Sequence, residues 1–333
     1  MLQSKIKRVL VSGANCDIGP YVIRMLEHNG LITKVMIPSQ TDASRLNGIS
    51  NEIIVVDFPD IQSVQHAVNG CDAVVHLAPN SNSNNNNKSA RTMTSRTCHL
   101  VEACHMQDVN RFIYVSSVST IHPEPNSYSH YAQAAENCVT QSGLDYTILR
   151  PAMIYGKGSD DLNYIVKKII NFHNFTPIPG VGRHLIQPVY VWDVADAIFK
   201  CLFQPRSITK SYNIGGRETI SYHNLILMIQ DMLGIKKHIV PIPPTIYRLV
   251  SKIARSLQNH NCPIENFYMD DANISLDISA AMRDMDYSPH FLQPTLLKVL
   301  DQIINDRDDT QVPDEFDNIM LPITETRMFT NRV

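Results

Sequence analysis

The sequence predicts an α/β fold in which a doubly wound parallel sheet is followed by a smaller lobe. Six short runs rich in Val and Ile lie between residues 7 and 149, helix-length amphipathic segments separate them, and a glycine-rich turn follows the first run. Nearly continuous apolar runs of this length are typical of strands that helices cover on both faces, as in a parallel sheet.

The predicted elements alternate regularly along the first half of the chain. The strand-like runs are residues 7–12, 33–37, 52–56, 73–77, 112–116 and 146–149. Apolar residues at three-to-four spacing predict the intervening helices over 18–29, 61–69, 89–106 and 127–142.

The second half of the chain has a looser pattern. It predicts helices over 161–173, 193–203, 221–233, 245–258 and 294–304, with strands near 186–192 and 210–214. The segment 305–333 is rich in Asp and Pro, and we expect this acidic tail to be partly disordered or to lie over the surface.

Composition excludes several classes of partner. The 333 residues include 29 Lys plus Arg and 32 Asp plus Glu, and the balanced charge provides no basic surface for nucleic acid. The longest apolar runs fall well short of the ~20 residues of a membrane span. Because the first strand follows Lys5 almost directly, we expect no targeting peptide and a cytoplasmic location.

The seven cysteines are scattered and contain no CxxC pair, so free thiols are the expectation. Two Cys-His pairs, at 98–99 and 104–105, fall in a predicted helix at a spacing of six residues, which places them on different faces. We therefore predict no metal site.

The glycine-rich turn runs from Gly13 to Gly19, where the first strand gives way to the first helix. A turn of this kind lets backbone amides and a helix N-terminus approach the pyrophosphate of a dinucleotide.

Further motifs strengthen this interpretation in chain order. Val55-Val56-Asp57-Phe58 ends the third strand, Val74-Val75-His76-Leu77-Ala78-Pro79 forms the fourth, and later come the segments 111–119, 143–151, 154–156, 187–195 and 212–216. Together they resemble the extended short-chain dehydrogenase/reductase superfamily, in particular its NAD-dependent epimerase/dehydratase group, over residues 5 to about 300. The segment 180–189 is more similar to the atypical branch that includes the accessory subunit of respiratory complex I.

The resemblance implies a domain organisation and a cofactor, NAD or NADP. Residues 1–155 would form the NAD(P)-binding Rossmann domain, completed by parts of 186–214, and residues 156–304 mainly the substrate-binding lobe. Residues around the pyrophosphate, at the adenine and at the ribose and nicotinamide would be Gly13, Asn15, Cys16, Asp17, Ile18, Gly19, Asp57, Phe58, Leu77, Ala78, Pro151 and Ile154. Ser39 could bond either a ribose hydroxyl or a 2′-phosphate, so the choice between NAD and NADP stays open.

The catalytic motif departs from the family pattern. The resemblance assigns Ser117 and Tyr128 as the catalytic serine and tyrosine, but the lysine expected four residues after the tyrosine is Ala132, and residues 89–156 contain no lysine. A phenol has a pKa of ~10 in water, so it is a poor base at neutral pH without a nearby cation. Cys16 also replaces the middle glycine of the fingerprint, and at a helix N-terminus its thiol could be reactive.

Two functions remain open from the sequence. The first is an NAD(P)-dependent oxidoreductase or epimerase/dehydratase acting on a hydroxylated small molecule such as a nucleotide sugar, with Arg183 and Gln187 as substrate residues. The second is a catalytically impaired NAD(P)-binding protein that serves as a sensor, assembly factor or structural subunit. The resemblance also implies a homodimer through helices 89–106 and 127–142.

Overall fold

A computed structural model describes residues 6–38, 46, 52–78, 86–121, 127–172, 174–243, 245–246 and 273–305, apart from the side chains of 86–91 and 127. Ser39, most of the predicted helix 245–258, Cys262 and nearly all of the acidic tail lie outside these residues, so the predictions for them stay predictions.

The first half of the chain alternates strands and helices as predicted. Its elements are β1 (Arg8–Ser12), α1 (Gly19–His28), β2 (Ile32–Ile37), β3 (Ile53–Val55), α2 (Ile61–Val68), β4 (Ala73–Leu77), α3 (Asn86–Met106), β5 (Arg111–Val115), a 3₁₀ turn (Val118–Ile121), α4 (Ser127–Thr140) and β6 (Asp145–Pro151).

The second half adds shorter strands between longer helices. Its elements are β7 (Ile154–Tyr155), α5 (Asp160–Asn171), β8 (Phe175–Pro179), β9 (Leu185–Ile186), β10 (Val189–Tyr190), α6 (Val191–Phe203), β11 (Lys210–Ile214), β12 (Ile220–Ser221), α7 (Tyr222–Met232), β13 (His238–Ile242), α8 (Ser279–Met285) and α9 (Leu292–Asn305).

The central sheet has seven strands in the order β11-β6-β5-β4-β1-β2-β3, and every neighbouring pair is parallel. This confirms the predicted α/β class. Strands β2 and β3 are added on one side of β1, and β4 and the later strands are added on its other side. The carboxyl ends of β1 and β4 therefore form the topological switch point, where open α/β sheets bind their ligands.

Two hydrophobic clusters cover the two faces of the sheet. Alternate side chains of β1, such as Val9 and Val11, pack with α1 and α6, whereas Leu10 packs with α2, α3 and α4 on the other face. The first cluster continues into α5, α7, α8 and α9, so the helices of the predicted small lobe share one hydrophobic core with the sheet.

Two differences from the predictions concern local structure. The run predicted as one strand over 186–192 divides into β9 and β10, and α6 already begins at Val191. Cys98 on α3 and Cys138 on α4 form a disulfide, with Cα atoms 5.9 Å apart, so the expectation of free thiols is wrong for this pair.

No helix in the described part of the chain combines the length and the hydropathy that a membrane crossing requires.

Candidate functional site

The predicted pyrophosphate turn lies at the carboxyl end of β1, directly against the end of β4. Gly13 has φ of 77°, and a Cβ built on it would lie 2.2 Å from the carbonyl oxygen of Leu77. The Gly13 N–H donates to the carbonyl of Met36 on β2 (3.3 Å). The turn is therefore fixed to both neighbouring strands, and only glycine fits its first position.

Gly19 brings the first helix equally close to the turn. A Cβ at this position would lie 1.9 Å from the carbonyl oxygen of Ala14. The N-cap residue Ile18 provides no side-chain hydrogen bond, and the first turn of α1 has no acidic residue. No acidic side chain of α1 itself offsets the positive end of the helix dipole, which favours an anionic pyrophosphate there, although Asp17 lies one residue before the N-cap.

The remaining fingerprint residues face the small lobe as well as the turn. The Asp17 carboxylate accepts a hydrogen bond from the backbone N–H of Asp160 at the start of α5 (3.0 Å). Desolvation, with the Asp17 charge beside it, raises the pKa of the Cys16 thiol to about 12. A thiol of this pKa stays protonated at neutral pH, which argues against the reactive-cysteine interpretation.

The adenine-side residues differ in accessibility. Asp57 is exposed at the end of β3, whereas Phe58 is buried in the cluster between α2 and α3. His99 lies with Nδ1 2.8 Å from the Phe58 carbonyl oxygen, and the Arg96 guanidinium stacks 4.7 Å from the Phe58 ring centre. Sequence reasoning missed these two α3 residues because they are remote from the fingerprint.

Polar groups are buried directly beneath the site. His76 on β4 stacks on Tyr114 of β5, with ring centres 5.5 Å apart, and its Nε2 lies 3.1 Å from Thr97 Oγ1. Burial, and then the Arg96 charge, lower the pKa of His76 to about 3, so the ring is neutral. Among the described residues, the buried hydroxyls of Ser12 and Ser116 have no hydrogen-bond partner in the protein. Unsatisfied hydroxyls at two strand ends fit a site that a polar cofactor completes.

The predicted catalytic residues lie next to β5 and on α4. The Ser117 hydroxyl oxygen accepts hydrogen bonds from the backbone N–H (3.2 Å) and the hydroxyl (3.1 Å) of Ser119. Tyr128 is half-buried in the first turn of α4, and Ala132 one turn later is only 1% exposed. The lysine position of the motif is therefore occupied by a methyl group inside the protein.

An ion pair connects α4 with β6 next to the predicted catalytic residues. Arg150 on β6 pairs with the buried Glu136 through three hydrogen bonds, Nε to Oε1 (2.9 Å), Nε to Oε2 (3.2 Å) and Nη2 to Oε2 (2.6 Å). The Thr120 hydroxyl lies 3.1 Å from Glu136 Oε1 and 2.9 Å from the Ser117 carbonyl oxygen. The Arg150 cation is thereby neutralised by Glu136.

The other predicted residues have diverse surroundings. Pro151 is buried at the end of β6 and Ile154 is half-buried at the start of β7. The Gln187 amide bridges two segments, since it donates to the Gly216 carbonyl (2.8 Å) and accepts from the Leu276 N–H (2.7 Å). Arg183 is exposed on the loop before β9. No cluster of metal-ligand side chains occurs in the described ranges.

A second Tyr-x-x-x-Lys spacing, Tyr164 and Lys168 on α5, lies inside the small lobe. Lys168 is 1% exposed, its Nζ lies 5.6 Å and 5.4 Å from the ring centres of Tyr164 and Tyr222, and it donates to the Tyr222 hydroxyl (3.1 Å). Desolvation lowers the pKa of Lys168 from 10.5 to about 7.

Replacing Lys168 by methionine is expected to stabilise the fold by roughly 1–3 kcal/mol at pH 7, because it removes the cost of burying an ammonium group. Since the folded-state pKa is lowered, this cost is absent above pH 10.5, grows as the pH falls towards 7 and is constant below it. Urea unfolding at pH 7 and pH 10 measures the effect. Lys167→Met on the exposed face of the same helix is the matched control, and an equal response of both variants would contradict the prediction.

A family model described as NAD(P)H-binding matches residues 13–205. The chain belongs to this NAD(P)H-binding family. The match covers the glycine turn, five of the seven strands of the central sheet (β2 to β6) and α6, so the predicted cofactor, NAD or NADP, is confirmed at the level of NAD(P).

Named relatives provide a second comparison, at the level of whole sequences. "NADH dehydrogenase [ubiquinone] 1 alpha subcomplex subunit 9, mitochondrial" of Arabidopsis thaliana is 27% identical over 305 residues, which are 85% of this chain and 74% of that protein. The "NADH-ubiquinone oxidoreductase 40 kDa subunit, mitochondrial" of Neurospora crassa is 22% identical over 252 residues, 73% of this chain and 64% of that protein.

Among solved structures, the UDP-N-acetylglucosamine 4-epimerase from Bacillus cereus matches with a TM-score of 0.71 and 18% identity, over 92% of this chain and 99% of the epimerase. The dTDP-glucose 4,6-dehydratase DesIV from Streptomyces venezuelae, crystallised with NAD, matches with a TM-score of 0.72 and 18% identity, over 90% of this chain and 98% of the dehydratase. These similarities confirm the predicted epimerase/dehydratase-type fold. The predicted cytoplasmic location is not confirmed, because both relatives are named as mitochondrial.

Proposed function

We propose that this protein binds NAD(P)H in a site without the tyrosine–lysine proton relay, and that it serves as an accessory subunit or assembly component of a respiratory NADH dehydrogenase. The observation that carries the proposal is Ala132, which is buried at the position where the resemblance expects lysine.

The chemistry of the relay explains why this one residue matters. A lysine beside the tyrosine lowers the pKa of the phenol and holds the nicotinamide ribose, so that a proton can move together with the hydride. At Ala132 the side chain has no charge to supply, and the nearby Arg150 is already paired with Glu136. Tyr128 and Ser117 are then left to bind and orient, not to exchange protons.

Residues of the turn would hold the cofactor. Bound NAD(P)H supplies a hydride and a redox-dependent charge. Backbone amides between Gly13 and Gly19, with the N-terminus of α1, would bind the pyrophosphate. Asp57 is exposed at the end of β3, where it could accept a hydrogen bond from the adenosine half, and the unsatisfied hydroxyls of Ser12 and Ser116 provide further donors.

The relatives support the accessory role and the class of partner. Two of them are named as subunits of mitochondrial NADH dehydrogenases, and the similarities cover 85% and 73% of this chain. The small lobe is fixed to the cofactor turn through Asp17 and through the Tyr21 hydroxyl, which donates to the Lys157 carbonyl (2.7 Å). A ligand that orders the turn would therefore also order the lobe.

A second candidate function is an epimerase or dehydratase acting on a nucleotide sugar. It is favoured by the persistence of Ser117 and Tyr128 at the site and by the fold, since a similar structure is that of a UDP-glucose 4-epimerase with UDP-glucose. Arg183 and Gln187 as substrate residues belong to this candidate, as does the predicted homodimer through α3 and α4.

The variant Ala132→Lys distinguishes the two functions. We expect the wild-type protein to bind NADH in calorimetry but to transfer no hydride between NAD(P) and UDP-sugars. We expect Ala132→Lys to stay within about twofold of that background, because a restored lysine accelerates hydride transfer only if the protein also positions a sugar substrate. Gln133→Lys, which adds the same charge at the neighbouring exposed position, is the control.

Two outcomes would overturn the proposal. Wild-type turnover of a UDP-sugar, or a tenfold gain in Ala132→Lys that Gln133→Lys does not share, would favour the enzyme. The partner class is tested separately by native electrophoresis of the tagged chain, which is expected to migrate with NADH:ubiquinone oxidoreductase activity. Migration only as the free protein would exclude the accessory role.

A further inference from the structure

The disulfide between Cys98 and Cys138 is placed where a reductant can reach it. The two residues lie on α3 and α4, their Cα separation of 5.9 Å is within the usual range for disulfides, and both are half-buried. Because 40 residues separate the two positions in sequence, the pairing results from the packing of the two helices and not from a local turn.

The other cysteines in the described ranges have a different environment. Cys71, Cys104 and Cys201 are buried, and desolvation raises the pKa of their thiols to about 11, 12 and 12. Cys16 is half-buried with a similarly raised pKa. Thiols of this kind react slowly because the thiolate is the reactive form. Among the described cysteines, only Cys98 and Cys138 are both partly exposed to solvent and bonded to another cysteine.

The bridge lies between contacts that reach the cofactor region. On α3 the residues on either side of Cys98 are Thr97, which contacts His76 under the site, and His99, which contacts the Phe58 carbonyl at the adenine side. On α4, Glu136 lies two residues before Cys138 and connects through Arg150 to the end of β6. The state of the bridge can thus affect both sides of the cofactor cleft.

Two further polar contacts connect α3 with α4 and with the segment that follows α4. The Thr94 hydroxyl donates to the Tyr131 carbonyl (2.9 Å), and His105 Nε2 lies 2.8 Å from the Ser142 carbonyl oxygen. These contacts flank the bridge on the two sides along the helix pair. When the bridge is broken, the apolar packing and the non-covalent contacts remain, so the helices keep their places but lose the one covalent constraint among the described residues.

We propose that Cys98 and Cys138 form a reversible thiol–disulfide site whose state sets the affinity of the adjacent NAD(P)H site. The inference rests on the NAD(P)H binding of the proposed function. In the reductive direction, a thiolate of an external dithiol attacks one bridge sulfur and forms a mixed disulfide. The second thiol of the reductant then releases it, so that two cysteine thiols and one oxidised dithiol result, with transfer of two electrons and two protons.

The expected direction follows from preorganisation. The oxidised bridge fixes α3 against α4 and with it the surroundings of Phe58, so the oxidised protein binds NADH more tightly, by about three- to tenfold. Because coupling between two equilibria is reciprocal, NADH must make the bridge harder to reduce by the same factor.

The test measures both sides of this linkage on the full chain. The protein is equilibrated in glutathione buffers of stepped redox potential, free thiols are counted by alkylation and mass spectrometry with and without NADH, and the NADH dissociation constant is measured for the oxidised and reduced forms. We expect the wild-type constant to rise three- to tenfold on reduction. The constants of Cys98→Ser and Cys138→Ser should equal that of the reduced protein in every buffer; if one variant fails to fold, the other serves.

Each contrary result has its own meaning. A pair that remains reduced in oxidised glutathione, or a disulfide that forms without changing the NADH dissociation constant, would overturn the inference while leaving the proposed function intact. Absence of NADH binding in both states would overturn the proposed function together with the coupling. The alkylation count would then still decide whether the pair is a redox site.

Discussion

Replacing Gly13 by alanine is expected to weaken NADH binding by roughly 10–100-fold and to lower the free energy of unfolding by about 3 kcal/mol. The backbone of Gly13 is in the left-handed region, with φ of 77°, which costs an L-residue about 1 kcal/mol or more. The added Cβ would also lie 2.2 Å from the Leu77 carbonyl oxygen, a backbone atom that cannot rotate away. The turn and the end of β4 must therefore move apart, at the place where the cofactor is expected to bind.

Gly30→Ala separates these two causes. Gly30 has nearly the same φ, 78°, but a Cβ there would meet no atom within 4 Å. This variant should show the backbone strain alone, with a loss of about 1 kcal/mol in stability and an unchanged NADH dissociation constant. Calorimetry and urea unfolding of both variants provide the comparison. If Gly13→Ala and Gly30→Ala behave alike, the close approach of the turn to β4 is not what the site requires.

The sheet and the fingerprint could be predicted because their signals are local. Each central strand is a short apolar run whose residues determine its own burial, and Gly13 and Gly19 are needed for backbone reasons that are visible in sequence. The class of fold and the order of the first elements followed from these patterns, and the cofactor followed from the family resemblance that the motifs carry.

Contacts between distant segments could not be predicted in this way. The Cys98–Cys138 bridge depends on how two helices pack, and the bond from the Asp160 N–H to Asp17 spans 143 residues. Arg96 and His99 contact Phe58 because α3 packs beside the segment that follows β3. A single sequence gives the periodicity of a helix but not the rotation of its face about a neighbour.

The small lobe was the hardest part of the chain to predict, because its sequence signals are short. Its strands β7, β9, β10 and β12 have two residues each, too few to show any period. The role of Gln187 is an example of what sequence patterns could not show. Its side chain forms hydrogen bonds with the Gly216 carbonyl and the Leu276 N–H, two groups that lie 29 and 89 residues away in sequence.

Replacing Arg111 by methionine is expected to lower the free energy of unfolding by about 3–5 kcal/mol. Arg111 begins β5 at the amino end of the sheet, opposite the cofactor site, and is 4% exposed. Its guanidinium donates to the Asp145 and Cys201 carbonyls, to the Thr147 hydroxyl (2.8 Å) and to the Ser207 hydroxyl (2.9 Å). Methionine fills a similar volume but leaves three buried acceptors and the part-buried Asp145 carbonyl without this donor, and it thereby weakens the junction of β5, β6 and α6.

Arg8→Met is the matched control, because Arg8 begins β1 at the same end of the sheet and pairs with Glu52 at 3.2 Å with both side chains 38% exposed. An exposed pair of this kind contributes about 0–1 kcal/mol. Urea unfolding followed by circular dichroism should separate the two variants by at least about 2 kcal/mol. Since Arg111 is remote from the turn at Gly13, NADH affinity should be unchanged wherever the variant is folded. A stability loss no larger than that of Arg8→Met would show that the protein accommodates the buried acceptors without the arginine.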